Sequence, residues 1–309
     1  MNLLPILTLL CLLKVSSLFG EESKPLWNYM IHPSIEQNSS LDWTEIFSKS
    51  HTLCFTGTYL RADGSLRSAP LPKSFLSLSR KYKVRLIPLV TSSHPNGWHF
   101  LKTESGIQNS IDSLSRFIEQ NPNLSGLHLD IEYISNSQIS NYKRFLKELR
   151  KRLPREKVLT LALFPQIEFP NSNSKIHAGL LDADFIDEFV LMSYDFHSSQ
   201  TAPGPVTSIS WTKKNLDFLS DKIPPLKLWL GLPLYGYFWK QGGKIKIIDQ
   251  KILTTNRNRF EIIDSEDGFI KIKDSTGTGF ISDPRSLFQL QELTKSYKLR
   301  GTAFWRIGF

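Results

Sequence analysis

Two patterns take turns along the chain. Short strand-like apolar runs, of which 126–132 alternates apolar and ionisable residues with period two, are separated by stretches in which apolar residues return every three or four positions. The first kind predicts strands at 27–31, 52–57, 84–90, 126–133, 158–164, 189–194, 228–235 and 301–305. The second predicts helices at 41–49, 74–81, 106–120, 138–153, around 211–219, and 284–297. The 138–153 stretch is the strongest of these, with Ile139, Tyr142, Phe145, Leu146 and Leu149 on one face. Its other positions include Lys143, Arg144, Lys147, Arg150, Lys151 and Arg152, which read as a solvated outer face rather than a nucleic-acid patch. Asn121-Pro122-Asn123 stops one helix, and Pro284 suits the first turn of another.

About eight strand-then-helix units predict an α/β fold of the (β/α)8 TIM-barrel type. A doubly wound open sheet is the alternative, weakened because no glycine-rich phosphate loop follows the first strand. Residues 236–282 break the alternation. Short strands at 244–248, 260–263 and 269–272, with turns at Gly242-Gly243, Asp267-Gly268 and Gly277, predict a small β-rich insertion between the seventh strand and the last helix, packed on the barrel mouth.

Length and composition fit one large domain over 21–309: 309 residues, 40% hydrophobic and 12% aromatic. Residues 1–20 stand apart. Leu3 to Leu13 is an apolar run broken only by Pro5 and Thr8, too short to span a bilayer and suited to the apolar part of a signal peptide. Cleavage after Ser17 or Gly20 predicts an exported protein, whether periplasmic, cell-surface or secreted. Cys11 could be read as a lipid-attachment cysteine, but Leu9-Leu10 before it lacks the small residues such sites carry. Once the leader is removed Cys54 stands alone, a small core residue, and neither a disulfide nor a cysteine metal site is expected. The formal net charge of +9 favours anionic surfaces such as cell-wall polymers.

The strand at Gly126-Leu127-His128-Leu129-Asp130-Ile131-Glu132 carries the candidate chemistry. His128, Asp130 and Glu132 share one face, and Leu127, Leu129 and Ile131 share the other. Strands flanked by helices are covered on both sides, where ionisable groups are costly unless they act. Two carboxylates two residues apart also push their pKa values apart, as a general acid near neutral pH requires. A solvated edge strand would look the same in this stretch alone. In a barrel, however, catalytic groups sit at the C-terminal ends of strands, and the other ends match. They carry Met192-Ser193-Tyr194-Asp195, Gly231-Leu232-Pro233-Leu234-Tyr235-Gly236 and Phe304-Trp305. Carboxylates for glycosidic oxygen and aromatic faces for a pyranose ring make a sugar site.

On these residues the chain resembles glycoside hydrolase family 18. That family's fourth strand reads Asp-x-x-Asp-x-Asp-x-Glu, where this chain has Ser125, His128, Asp130 and Glu132. Its Met-x-Tyr-Asp matches Met192, Tyr194 and Asp195, and its Gly-x-Pro-x-Tyr-Gly matches Gly231, Pro233, Tyr235 and Gly236. Its strand-eight tryptophan matches Trp305. The segment 232–239, the β-rich insertion and Asp283-Pro284-Arg285-Ser286 look most like the branch with spore-cortex-lytic N-acetylglucosaminidases and chitobiase-like enzymes.

The resemblance implies a retaining glycosidase acting on a β-linked N-acetylglucosamine glycan, peptidoglycan or chitin oligosaccharides, by substrate-assisted catalysis. Glu132 would be the acid and base. Asp130 would hold the acetamido N–H, and Tyr194 would donate to the acetamido oxygen. Trp305 would floor the subsite, with Tyr235, Asp195, Met192 and His128 lining it. It implies no metal and no cofactor. His128 stands where the full motif has an aspartate; if protonated it would hold Asp130 ionised. Ser125 replaces an aspartate at the strand start, a structural position. Trp239, Trp98, His94 and His99 are further candidates for outer sugars. The competing functions are a lectin-like sugar-binding protein on the same fold, which retention of Glu132 argues against, and a basic wall-adhesion protein.

Overall fold

The computed structural model describes residues 25–32, 41–92, 97–132, 134–169, 179–255, 259–264, 267, 269–282 and 284–308. The proposed leader 1–20 with Cys11, and Tyr133, His94 and Asp283, lie outside the described residues.

Eight parallel strands close on themselves. They are β1 (Leu26–Met30), β2 (Thr52–Leu60), β4 (Arg85–Ser92), β5 (Gly126–Asp130), β6 (Val158–Leu163), β7 (Glu188–Met192), β8 (Leu228–Pro233) and β14 (Gly301–Trp305). Their order is β1-β14-β8-β7-β6-β5-β4-β2, and β2 pairs back on β1 to complete the barrel. Helices α1 (Trp43–Lys49), α2 (Lys73–Tyr82), α3 (Glu104–Gln120), α4 (Ile139–Arg152), α5 (Ile209–Leu219) and α7 (Pro284–Ser296) run between strands; the short α6 (Lys251–Thr255) belongs to the insertion. Their starts are capped as sequence chemistry prescribes: Asp42, Thr103 and Ser208 accept from the amides of Glu45, Gly106 and Trp211 at 3.0–3.1 Å.

Two apolar layers result. Outward-facing strand residues meet the helices; on α4 these are Tyr142, Phe145, Leu146 and Leu149, all fully buried, each contributing about 1.5–3 kcal/mol. Most basic positions of α4 form its outer face, with Arg144 paired to Glu104, Lys143 to Asp182 and Arg152 to Asp112. Arg150, read as part of that face, instead turns inward to Asp187 and the carbonyls of Leu153, Pro154 and Lys157. Inward-facing residues fill the barrel: Trp27, Tyr29, Cys54, Ile87, Leu89, Val190, Trp229 and Ala303. Cys54 is a free, buried thiol. Among the described residues no helix is long and apolar enough to cross a membrane.

Several boundaries differ from the sequence reading. β2 does not stop at Gly57. The glycine sits at φ 102° in a register shift between Phe55 and Thr58, and the strand continues to Leu60, where it doubles back as β3 (Leu66–Ser68). The insertion is a five-stranded antiparallel sheet in the order β10-β9-β13-β12-β11. It comprises β9 (Gly236–Lys240), β10 (Ile245–Ile248), β11 (Glu261–Asp264), β12 (Phe269–Asp274) and β13 (Gly277–Ser282). β9 lacks alternation because both its faces are covered: Tyr237 and Trp239 join the barrel mouth, and Phe238 joins the insertion's own core of Ile248, Ile272 and Ile281. Gly277, read as a turn, is the first residue of β13. Its glycines are there for space, since a Cβ on Gly279 would press into the Phe238 ring.

Candidate active site at the barrel mouth

Strand alternation sets depth as well as direction. Along β5 His128 and Asp130 both face inward, and Asp130 sits about 6.6 Å nearer the mouth by strand rise. Glu132 lies just past the end of the ladder, partly exposed. The ends of β7, β8 and β14 bring Met192, Tyr194, Asp195, Tyr235 and Trp305 to the same opening, where they form one aromatic cluster with Phe164, Tyr237 and Trp239.

Two glycines of the Gly-x-Pro-x-Tyr-Gly motif make that convergence possible. A Cβ on Gly231 would overlap the Leu191 carbonyl and touch the Tyr194 ring. One on Gly236 would overlap the Phe280 carbonyl, so this position must be glycine for the insertion sheet to leave the barrel.

Two of the three mouth carboxyls are short of partners. Asp130 Oδ1 is buried with no hydrogen-bond donor, and Glu132 makes no hydrogen bond among the described residues. Burial pushes the Asp130 carboxyl up to about 6. Burial, then the charges of Asp130 and Asp195, raises Glu132 well above the ordinary carboxylate range. The two carboxyls lie two residues apart and titrate as a coupled pair, both displaced upward. Asp195, in the left-handed region at φ 59°, accepts from the Tyr235 hydroxyl at 2.6 Å and from Tyr237 at 3.0 Å. Burial raises its carboxyl too, and the two tyrosines offset part of that rise. The Tyr194 hydroxyl, in the field of Asp130, Asp195 and Glu132, is held protonated chiefly by burial.

His128 is expected to line the site, but it is 0% exposed, one layer beneath the mouth, and does not line the opening. Both ring nitrogens are engaged: Nδ1 with Thr160 Oγ1 at 2.7 Å and Nε2 with the Tyr29 hydroxyl at 2.9 Å. Thr160 gives its own proton to the Leu127 carbonyl, so Nδ1–H donates to Thr160 and Nε2 accepts from Tyr29. That is a neutral imidazole, and burial lowers its pKa to about 3. It does not hold Asp130 ionised through a positive charge.

Of the outer candidates, Trp239 joins the mouth cluster. Trp98 instead packs against the barrel–helix core, with His99 on its edge at 4.9 Å. Tyr237 and Phe280 were missed by sequence reasoning; the aromatic run after Gly236 was a signal for Tyr237, and none marked Phe280. Beside the cluster, the loops after β6 and β7 enclose about 310 Å³ lined by Glu168, Phe169, Phe196, His197, Thr201 and Ala202. No three His, Cys, Asp or Glu side chains among the described residues converge to hold a metal ion.

A closed parallel barrel with carboxyls and aromatic rings gathered at the C-terminal ends of its strands is built as a glycoside-hydrolase barrel. Residues 81–309 match the family described as Glycosyl hydrolases family 18, and the chain belongs to that family. Within it the chain is close to the spore-cortex-lytic branch. It is 24% identical over 200 residues to the cortical fragment-lytic enzyme of Bacillus anthracis, an alignment covering 59% of this chain and 46% of that protein. It is likewise similar in fold to the spore cortex-lytic enzyme SleL of Bacillus megaterium QM B1551, with a TM-score of 0.79 at 20% identity over 94% of this chain and 72% of that one. A chitinase from Chromobacterium violaceum ATCC 12472 superposes with a TM-score of 0.78 at 20% identity, over 93% and 95% of the two chains. The chain spans about half the length of the first curated relatives it matches, 46% for each.

Proposed function

We propose that this protein is a retaining glycosidase that hydrolyses β-linked N-acetylglucosamine glycans with the sugar's own acetamido group as nucleophile. The observation that carries the reading is the carboxyl pair at the mouth end of β5: Glu132, raised by burial and by the charges of Asp130 and Asp195, stands two residues from a buried Asp130 whose Oδ1 has no donor among the described residues. In this reading Glu132 protonates the glycosidic oxygen as the C1–O bond breaks. The acetamido oxygen closes onto C1, and the departing aglycone takes the Glu132 proton. Asp130 accepts the acetamido N–H, filling its vacant acceptor, and offsets the positive charge of the oxazolinium. Tyr194 donates its hydroxyl to the acetamido oxygen, and Trp305 floors the ring. Water then adds to C1 from the face the aglycone left, giving a proton to the Glu132 carboxylate as the C1 bond to the acetamido oxygen breaks and the acetamido group is restored, so configuration is retained.

Peptidoglycan is the favoured polymer. The +9 net charge suits an anionic wall, and the apolar leader-like run 3–13 suits an exported enzyme that meets one. The test is hydrolysis of purified peptidoglycan and of chitotetraose by the wild type and Glu132→Gln, with products read by mass spectrometry. Cleavage by the wild type and a loss of at least ~10²-fold in the variant is the expected result. Binding of both glycans with cleavage of neither would make this a lectin on a hydrolase fold.

A further inference from the structure

The insertion sheet continues the mouth outward, and strand register fixes what it presents there. Tyr237, whose hydroxyl reaches Asp195, stands opposite Phe280 on β13, and Phe280 stands opposite Lys271 on β12. Paired residues of an antiparallel sheet share a face, so Lys271 belongs to the same face as Tyr237, two strands further out. That is about 10 Å by strand spacing.

Ring contacts trace the same path. Tyr194 meets Tyr235 at 6.3 Å, Tyr235 meets Tyr237 at 5.5 Å, Tyr237 meets Trp239 at 5.7 Å and Trp239 meets Phe280 at 6.1 Å. The Lys271 ammonium lies 5.9 Å from the centre of the Phe280 ring. Burial falls off along the row: Tyr237 and Trp239 are buried, Phe280 and Lys271 half-buried.

Two features of this path lack a partner. Lys271 forms no ion pair among the described residues, although its strand neighbour Asp274 pairs with Arg259. The indole N–H of Trp239 is buried with no acceptor among the described residues. A run of aromatic faces ending in an unpaired ammonium is how a protein binds a sugar chain that bears a negative charge.

We infer that Lys271 is a specificity-determining residue that selects carboxylate-bearing N-acetylglucosamine glycans over neutral ones. The inference rests on the glycosidase reading for the identity of the site. It distinguishes the two polymers that reading leaves open, because chitin strands are neutral and peptidoglycan carries carboxylates. Those carboxylates sit either on the lactyl ether of muramic acid, in strands stripped of stem peptide, or on the stem peptide itself. The chemistry that Lys271 meets is the same in both.

The test measures binding in a Glu132→Gln background, so that it needs no turnover, and then kcat/KM in the otherwise native enzyme. The ligands are chitotetraose, peptide-free glycan strands and peptide-bearing glycan strands. Lys271→Gln is expected to weaken one or both charged glycans by roughly 3- to 10-fold and to leave chitotetraose unchanged. Whichever strand loses affinity names the carboxylate. The preference for charged strands in the unsubstituted background is expected to fade with added salt. Equal losses on all three ligands, or no loss on any, would overturn the inference. Absence of hydrolysis by the wild type would instead strike the glycosidase reading, and the binding arm would still decide the role of Lys271.

Discussion

At the bottom of the barrel Glu188 receives hydrogen bonds from both Arg85 terminal nitrogens, at 2.7 and 2.9 Å, and from the Trp229 indole at 2.8 Å, with Arg300 at 3.3 Å. At the mouth Asp130, Glu132 and Asp195 form no ion pair with any described cation. The consequences are opposite. Burial alone would raise the Glu188 carboxyl, but the Arg85 hydrogen bonds and charge, with Arg300 and Trp229, outweigh it and hold the group below its ordinary value. At the mouth no cation compensates burial, only the Tyr235 and Tyr237 hydroxyls offset part of it at Asp195, and all three carboxyls are raised. One fold thus satisfies a buried acid where it holds the structure together and leaves acids unsatisfied where a substrate can complete them.

Exchanging each acid for its amide separates the two ends. Glu132→Gln should abolish hydrolysis while the thermal midpoint stays or rises, since a raised acid is not stabilising the fold. Glu188→Gln should do the reverse. It leaves Arg85 and Arg300 without their counter-charge, at a cost of about 3–5 kcal/mol, toward the lower end because both stay partly exposed. Activity of the folded fraction should be unchanged. Because the Glu188 pKa is depressed on folding, its contribution is present above the unfolded carboxylate value of about 4.3 and is lost as pH falls through the folded value. Urea titrations of wild type and variant should therefore converge at low pH. A Glu188 variant that unfolds no more easily at pH 7 would erase the contrast.

How far this contrast could be read from the chain depends on sequence distance. The barrel strands were legible because burial on both faces writes short apolar runs between helical stretches, and Asp130 and Glu132 declared themselves as charges alternating into a face that should be covered. Depth was not legible. Alternation places His128 and Asp130 on the same face but does not say that the mouth begins between them. Nor was the lower cluster, because Arg85 and Glu188 are 103 residues apart and meet only when the barrel closes. The insertion's register was hidden by β9, covered on both faces, and by the glycines of β13. Lys271 therefore looked like any surface lysine until Phe280 and Tyr237 were aligned with it.

Asp130 sharpens the comparison at the mouth. Its carboxyl rises to about 6 on folding, from about 3.9 in an unfolded chain. Its contribution to stability is therefore complete below pH 4 and declines as pH rises through 6. Asp130→Asn removes that decline. The variant should match the wild type near pH 4 and exceed it above pH 6 by roughly 1–3 kcal/mol, as read by chemical denaturation. A variant less stable than the wild type at pH 7 would mean that the Asp130 charge is already compensated in the free protein.

The smallest effect on chemistry belongs to His128, between the two ends. Were it protonated, its removal would let the Asp130 pKa climb, and the acidic limb of kcat/KM would move to higher pH. As a neutral imidazole bonded to Tyr29 and Thr160 it has no charge to lose, so His128→Asn should leave that limb near pH 6, within about 0.3 of its place. The cost should appear in stability, about 1–3 kcal/mol for two buried hydrogen bonds disturbed. That cost carries its own pH signature. A histidine whose pKa drops to about 3 on folding, from about 6.5 unfolded, makes the wild type lose stability as pH falls from 6.5 toward 3. Asparagine does not titrate, so the deficit of the variant should be largest at pH 7 and above and shrink steadily toward pH 4. A deficit that widens on acidification, or an acidic limb that shifts upward by a full unit, would require a charged His128 and would tie the layer beneath the mouth to the reaction after all.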